Sequence, residues 1–372
     1  MTRRLAALAL TAALLAGCQV LDPGPPVARG DTEEILVATD SATWAGPVGE
    51  ALRAELAEPV ATLPSNQGAF KLRLVPITSR TFGMLKRSPA VVFAGAVDAE
   101  GEIGDFLRAR VGEGNLAAVR EGRTAAVNVR EDLWSLDQIV TIATAASDSA
   151  LAAQILRRGP ELRAAYHALA LKRLTDEMFA KARQTDKEAD LLDAHGFRVA
   201  IQHDFVQTED TTVTAAGVTG TFVRYRRVLA QTWRDFFVFA VDGVDTVPPP
   251  DAIDAITNDL LRQFARGSID SSYVQLEASR PMSRDTVEIA GRPAQEQRGL
   301  WQTTVVPMGG AYIRYAFVDP ATDRLYIYYG MTFAPDRRLD KRKFLRQMEA
   351  IGHTFRTQAD ADREAAASHP PA

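Results

Sequence analysis

One cysteine, Cys18, stands in a chain of 372 residues. A thiol can attack a carbonyl, ligate a metal or carry a covalent attachment, and its surroundings choose among these. Ala16 and Gly17 precede it, an apolar run of Ala and Leu extends from Leu5 to Leu15, and Arg3 and Arg4 stand before that run. This is the layout of a secretory signal ending at a processing site. As a helix the run reaches roughly 17 Å, short of the ~30 Å hydrocarbon core of a bilayer, so it is not expected to span. The other chemistry-bearing residues are dispersed. His167, His195, His203 and His353 form no H-x-H or i, i+4 pair, so no metal is expected. No G-x-S-x-G, H-E-x-x-H or G-x-x-x-x-G-K-[ST] motif occurs, which leaves no catalytic residue and no cofactor to name. "GEGNLA", Gly112 to Ala117, matches G-x-G-x-x-A but follows "DFLRARV", which reads as helix where a dinucleotide site needs a strand. Asp40, at the end of an apolar strand, stands where α/β proteins bind ligands and where a helix cap is also placed.

A second constellation lies in "AYIRYAFVDPATDRLYIYYGMTF", Ala311 to Phe333, a hairpin turning through "DPATD". Period-two alternation sets Ile313, Tyr315, Phe317, Leu325, Ile327, Tyr329, Met331 and Phe333 toward the core and Tyr312, Arg314, Tyr326 and Tyr328 on the opposite face. "TFVRYRRV" places Arg224 and Arg226 on one side. Aligned, these six residues would make a Tyr and Arg surface for carboxylates, phosphates or sugar rings. Trp134 and Trp301 read as core aromatics, and Gly309 and Gly310 of "MGG" as loop residues taking positive φ.

The elements that must position these groups follow a changing pattern. The expected organisation is a signal over 1–17, Cys18 and a Pro-rich tether over 18–34, an N-terminal α/β half over 35–146, a helical bridge over 147–196, a C-terminal α+β sandwich over 197–356 and a disordered tail over 357–372. Extended, the tether would reach about 50 Å at ~3.1 Å per residue. The first half alternates strands, such as Ile35 to Thr39 and Ala90 to Phe93, with helical pieces. The bridge is expected to break at Gly159 and Pro160, and Leu162, Tyr166, Leu169, Leu171, Leu174 and Met178 spread over more than one of its faces. In the second half a helix after Asp251 and a closing helix with Phe344, Met348, Ile351 and Phe355 on one seam pack on mostly antiparallel strands. The fold class is α+β: two mixed α/β layer halves bridged by long helices, the second an antiparallel-sheet sandwich with a closing C-terminal helix.

Leu15, Ala16, Gly17 and Cys18 resemble the lipobox of bacterial lipoproteins. The resemblance implies cleavage between Gly17 and Cys18, a diacylglyceryl thioether on Cys18 and N-acylation, with Gln19 implying transfer to the outer membrane. Together with "ILVATDSATWAGPVGEALR", "DLWSLDQIVTIATA", "GRPAQEQRGLWQTTVVPMGGAYIRYAFVD" and "KRKFLRQMEAIGHTF", the lipobox makes the whole chain similar to a family of envelope lipoproteins, domain of unknown function number 4837. That family has no assigned activity. The second half is also similar in strand order to the sandwiches of the photosystem extrinsic proteins, which implies docking. Hydrophobic residues at 46% and charged residues at 24% suit a soluble globular body. A net charge of -4 gives no case for nucleic acid. The expected protein is therefore a non-catalytic binding or scaffolding module on the periplasmic face of the outer membrane. It is held by its lipid, and its partner is an envelope protein or an anionic glycan or lipid. The alternative is an envelope hydrolase acting on glycan or lipid, which a deep polar cleft with close carboxylates, or a carboxylate and a His in contact, would favour.

Overall fold

The computed structural model describes residues 24–267, 269 and 271–368. The signal, Gly17 and Cys18 lie outside the described residues. The first half contains β1 (Glu34–Ala38), α1 (Ser41–Ala45), α2 (Pro47–Leu56), β2 (Lys71–Val75), α3 (Ser79–Leu85), β3 (Ala90–Ala96), α4 (Gly101–Val111), α5 (Glu113–Arg120), β4 (Ala126–Glu131) and β5 (Ile139–Ala145). Their order across the sheet is β2-β1-β3-β5-β4, parallel except for β4 at the edge. Helices cover both faces of the parallel strands, which is why β3 ("AVVFAGA") and β5 ("IVTIATA") are apolar nearly throughout. One face packs Ile35, Val37, Val92 and Ala143 against Leu52 and Leu56 of α2. The other packs Leu36, Val91, Phe93 and Val140 against Leu85, Ile103 and Leu107. Asp40 caps α1, accepting from the Ala42 and Thr43 N–H groups at 2.9 Å each. "GEGNLA" opens α5 after helix α4.

The bridge is α6 (Asp148–Phe179), a single helix through Pro160. At 1.5 Å per residue its 32 residues extend about 48 Å. The expected break at Gly159 and Pro160 does not occur because packing on both halves outweighs the lost hydrogen bond of one proline. Gly159 leaves room for the Glu55 carboxylate, which a Cβ there would displace. Leu151, Ile155, Leu162 and Tyr166 enter the first core, and Leu174 and Met178 enter the second. Tyr166 ties helix to sheet, its hydroxyl donating to Val91 O at 2.9 Å.

The remaining elements are α7 (Thr185–His195), β6 (Phe197–Arg198), β7 (Val206–Ala215), β8 (Val218–Val228), β9 (Trp233–Asp242), α8 (Pro250–Phe264), β10 (Val274–Leu276), β11 (Ser283–Ile289), β12 (Arg292–Thr303), β13 (Gly309–Asp319), β14 (Arg324–Phe333), α9 (Lys341–His353), β15 (Arg356–Thr357) and α10 (Gln358–Ser368). The antiparallel sheet runs β10-β12-β13-β14-β9-β8-β7, with β11 also on β12. Helix α9 covers one face with Leu345, Met348 and Ile351, and α8 covers the other with Ile253, Ile256 and Leu260. The fold is α+β, two layered halves bridged by long helices, the second closed by a helix.

Three local expectations are corrected. The tether is shorter than 18–34: Val27 bridges Leu136, Ala28 N donates to Leu136 O at 2.8 Å, and Glu33 is 1% exposed. The tail over 357–372 contains α10, held by polar contacts that hydrophobic periodicity does not report. Asp360 accepts from Arg292 and from Thr357 N at 2.9 Å each. Gly309 and Gly310 lie within β13 with no positive φ, and a Cβ on Gly310 would strike Thr332 O, so close strand approach is what requires that glycine.

Leu174→Ala is expected to lower stability by about 2–5 kcal/mol, and half-buried Leu169→Ala by less. Denaturant melts check this; a change below about 0.5 kcal/mol at Leu174 would contradict its place in the second core.

Candidate functional site

The expected Tyr and Arg surface is not formed, because helices cover both faces of the sheet. β13 and β14 pair with Tyr315 opposite Tyr328 and Arg314 opposite Tyr329. Tyr326 and Tyr328 therefore share the α9 face with Tyr315, while Tyr312, Arg314 and Tyr329 lie beneath α8. The alternation was right within each strand, but the register between the strands was not legible, so Tyr315 and Tyr329 were placed together wrongly. Tyr328 donates to Met348 O at 2.6 Å and Tyr326 to Gly196 O at 3.4 Å. Gln297 donates to the Tyr312 hydroxyl at 2.7 Å. Arg314, 2% exposed, is bound by Asp254 at 2.6 Å and by Gln297 and Thr257. Arg224 is buried in a two-bond pair with Asp235. Arg226, partly exposed, stacks on Trp233 at 5.0 Å and lies 3.7 Å from Asp235. Most of these side chains are thus buried among partners within the protein, and Arg314 also lines a cavity of about 400 Å³.

The residues that do converge lie between the halves. A cleft of about 540 Å³ is walled by Val60, Leu63, Ala69 and Phe70 from the segment between α2 and β2. Pro160, Arg163, Ala164 and His167 of α6 and Arg342, Leu345, Arg346 and Glu349 of α9 complete it, with Asp285 and Arg298 from β11 and β12. The volume falls within the ~300–1,000 Å³ usual for ligand pockets. Helical spacing builds two walls: Arg163 and His167 are one turn apart, and Arg342, Arg346 and Glu349 follow at i, i+4 and i+7.

Buried ion clusters set the geometry of those walls. Glu33, just before β1, accepts from Arg346 and pairs with Arg342 Nε at 2.8 Å, all three side chains being almost fully buried. Gln67 caps the start of α9: its Oε1 accepts from Lys341 N at 3.0 Å and Arg342 N at 3.2 Å, and its Nε2 donates to Leu339 O at 2.9 Å. Further along α9, Glu349 contacts His167 Nε2 at 2.7 Å and accepts from Arg298 Nη2 at 2.6 Å, while Arg298 also holds Glu296 at 2.7 Å. Burial would raise the Glu349 pKa, but Arg298 and then His167 outweigh it and hold the carboxyl well below its usual range. Burial likewise opposes the Arg298 charge, and Glu349 and Glu296 more than offset it. Beneath them the Tyr315 hydroxyl, pushed far up first by burial and then by Glu349, has no hydrogen-bond partner among the described residues. Arg346 lies over the Phe70 ring at 5.1 Å and Arg163 binds Glu55 at 3.0 Å.

The sequence reading missed this site. His167 entered only as one of the histidines without metal-binding spacing, and the charged residues of α9 were not singled out beside its apolar seam. The available signal was the pairing of Arg163 with His167 and of Arg342 with Arg346, each one turn apart on helices that also carry apolar stripes. Among the described residues no group of three or more His, Cys, Asp and Glu could hold a metal, and no helix is long and apolar enough to cross a membrane.

Comparison with known families divides the chain. Residues 184–354 match the domain of unknown function DUF4837, and residues 28–179 match a different one, DUF8532. The family resemblance read over the whole chain therefore holds for its second half only; "ILVATDSATWAGPVGEALR" and "DLWSLDQIVTIATA" fall in the other match. No curated protein matches. Among solved structures, the Ran-binding protein Mog1p of Saccharomyces cerevisiae is similar at 11% identity and TM-score 0.29, over 45% of this chain and 93% of that one. LpqN of Mycobacterium tuberculosis, described as involved in cell envelope biogenesis, is similar at 10% identity and TM-score 0.21, over 43% of this chain and 81% of that one. Likeness at these values says nothing of function.

The site makes stability sensitive to acid. Burial pushes the His353 imidazole below its ordinary value, with Glu349 and Glu296 opposing and Arg298 and His167 reinforcing. A depressed histidine stays neutral in the fold while the unfolded chain takes a proton, so stability falls as pH drops below ~6.5 toward the folded value. The depressed Glu349 adds a loss of the same sign, beginning near its ordinary ~4.3. Denaturant melts between about pH 7 and pH 5 are expected to show a decline that His353→Gln flattens. An unchanged slope in that variant would remove His353 as its source.

Proposed function

We propose that this protein is a lipid-anchored module of the bacterial envelope, facing the periplasm from the outer membrane, and that it works by non-covalent binding in the cleft between its halves. The anchor rests on Cys18 and the residues before it. The observation that carries the binding reading is the cleft itself: apolar side chains from both halves face one space, with hydrogen-bond donors beside them. Its walls are fixed by buried ion pairs from different parts of the chain, so the space is preformed rather than assembled by the ligand. The surface expected on the hairpin is withdrawn.

A second reading, an envelope hydrolase, is favoured by one observation: His167 touches the buried carboxylate Glu349 at 2.7 Å at the cleft wall. A histidine so oriented could take a proton from water. Arg298 already engages both oxygens of Glu349, and among the described residues no Ser, Thr or Cys lines the cleft. The contact also joins α6 to α9, a role it fills without chemistry.

Native mass spectrometry of the membrane-extracted full chain tests the proposal. The expected result is a mature N-terminus at Cys18 carrying a diacylglyceryl thioether, together with a non-covalent adduct that Ala164→Trp removes by filling the cleft. Unmodified Cys18 would contradict the anchor, and an adduct unaffected by Ala164→Trp would contradict the cleft. His167-dependent turnover of acyl or glycosyl nitrophenol substrates would replace binding with the hydrolase reading.

A further inference from the structure

We infer that the occupant of the cleft is a single-chain anionic amphiphile, its chain against Val60, Leu63, Phe70 and Leu345 and its carboxylate or phosphate head on Arg163 and His167. This rests on the binding reading and adds the ligand class.

Charge saturation points to the head group. The acids around the cleft already have partners: Glu349 and Glu296 are held by Arg298, Glu33 by Arg342 and Arg346, and Glu55 by Arg163. What remains is donor capacity. Arg163 uses Nε and Nη2 on Glu55, and His167 uses Nε2 on Glu349. Arg163 Nη1 and His167 Nδ1 make no hydrogen bond among the described residues, and both side chains are about one-third exposed. One turn apart on α6, Arg163 Nη1 and, when the ring is protonated, His167 Nδ1 can bind one anion together. Asp285, the lining acid without such a partner, is exposed, so water and salt screen it.

The chain between anchor and body points to the source. Only Gln19 to Pro26, eight residues, separate Cys18 from Val27, where the body begins by bridging Leu136. Extended like polyproline, that segment reaches about 25 Å at ~3.1 Å per residue. Six residues beyond Val27, Glu33 touches two arginines of the cleft wall. The lipid on Cys18 thus holds the cleft close to a bilayer surface, where single-chain amphiphiles reside.

Photocrosslinking of the full mature chain in phosphatidylcholine nanodiscs tests this, with palmitate bearing a diazirine as the probe and peptide mass spectrometry as the readout. Adducts are expected on the segment between α2 and β2 and on α9, suppressed by excess oleate or lysophosphatidate but not by hexadecanol or inorganic phosphate. Arg163→Gln and His167→Gln are each expected to lower the yield at least about tenfold, the loss of one charge-assisted hydrogen bond. Both sites are partly exposed, and far-ultraviolet circular dichroism verifies that the variants fold. Equal competition by hexadecanol would overturn head-group recognition. Competition by inorganic phosphate would assign the site to a free anion, and adducts spread over the surface would overturn the site. If palmitate gives no adduct in the cleft while the native adduct remains sensitive to Ala164→Trp, the cleft binds another class of ligand: this inference falls and the binding reading stands.

Discussion

The Glu33 carboxylate between Arg342 and Arg346 is the interaction on which the arrangement of the two halves depends. Glu33 directly precedes β1 of the first sheet, its carbonyl accepting from Lys71 N at 2.8 Å, and the arginines belong to α9, which closes the second. All three side chains are 1–6% exposed. Burying charge is costly, and such a group is tolerated only when it is closely paired. Arg342 also finds Asp340 at 2.9 Å, and Asp340 meets Lys71 at 3.0 Å. The cluster thus alternates in sign across the junction and stays local.

Around that junction, apolar packing supplies adhesion and the polar groups supply register. Helix α6 contributes to both cores, so neither half can rotate far without withdrawing Leu174 or Tyr166 from its neighbours. Gln67 fixes the start of α9, and His167 with Glu349 fixes a point further along it. The cleft is the space these fixed points leave between α6, α9 and the segment before β2. A ligand entering it need not order the walls, which lowers the entropic cost of binding.

Much of the fold was legible because it is written in apolar periodicity. The buried runs of β3 and β5, the stripe of Ile253, Ile256 and Leu260 on α8 and the wide face of α6 are all visible as apolar periodicity. The candidate site was not legible, for a physical reason. Arg342, Arg346 and Glu349 have the composition of a solvated helix face, and only pairing with Glu33, Arg298 and His167, distant in sequence, makes their burial tolerable. The hairpin shows the complementary limit. Alternation gave the two faces of each strand, but turn geometry set the register between strands, and a covering helix on each side made tyrosines on both faces core residues. The tail escaped notice for the same reason as the cleft, since Arg292 and Asp360 hold it by charge.

A double-mutant cycle on Glu33 and Arg346, read by denaturant melts of the full chain, tests the claim that this buried cluster couples the halves. Glu33→Gln and Arg346→Met are each expected to cost about 3–5 kcal/mol, with the double variant less damaged than their sum by about 0.5–3 kcal/mol. Strict additivity, or single losses below about 0.5 kcal/mol, would mean that the halves are held together without this clamp.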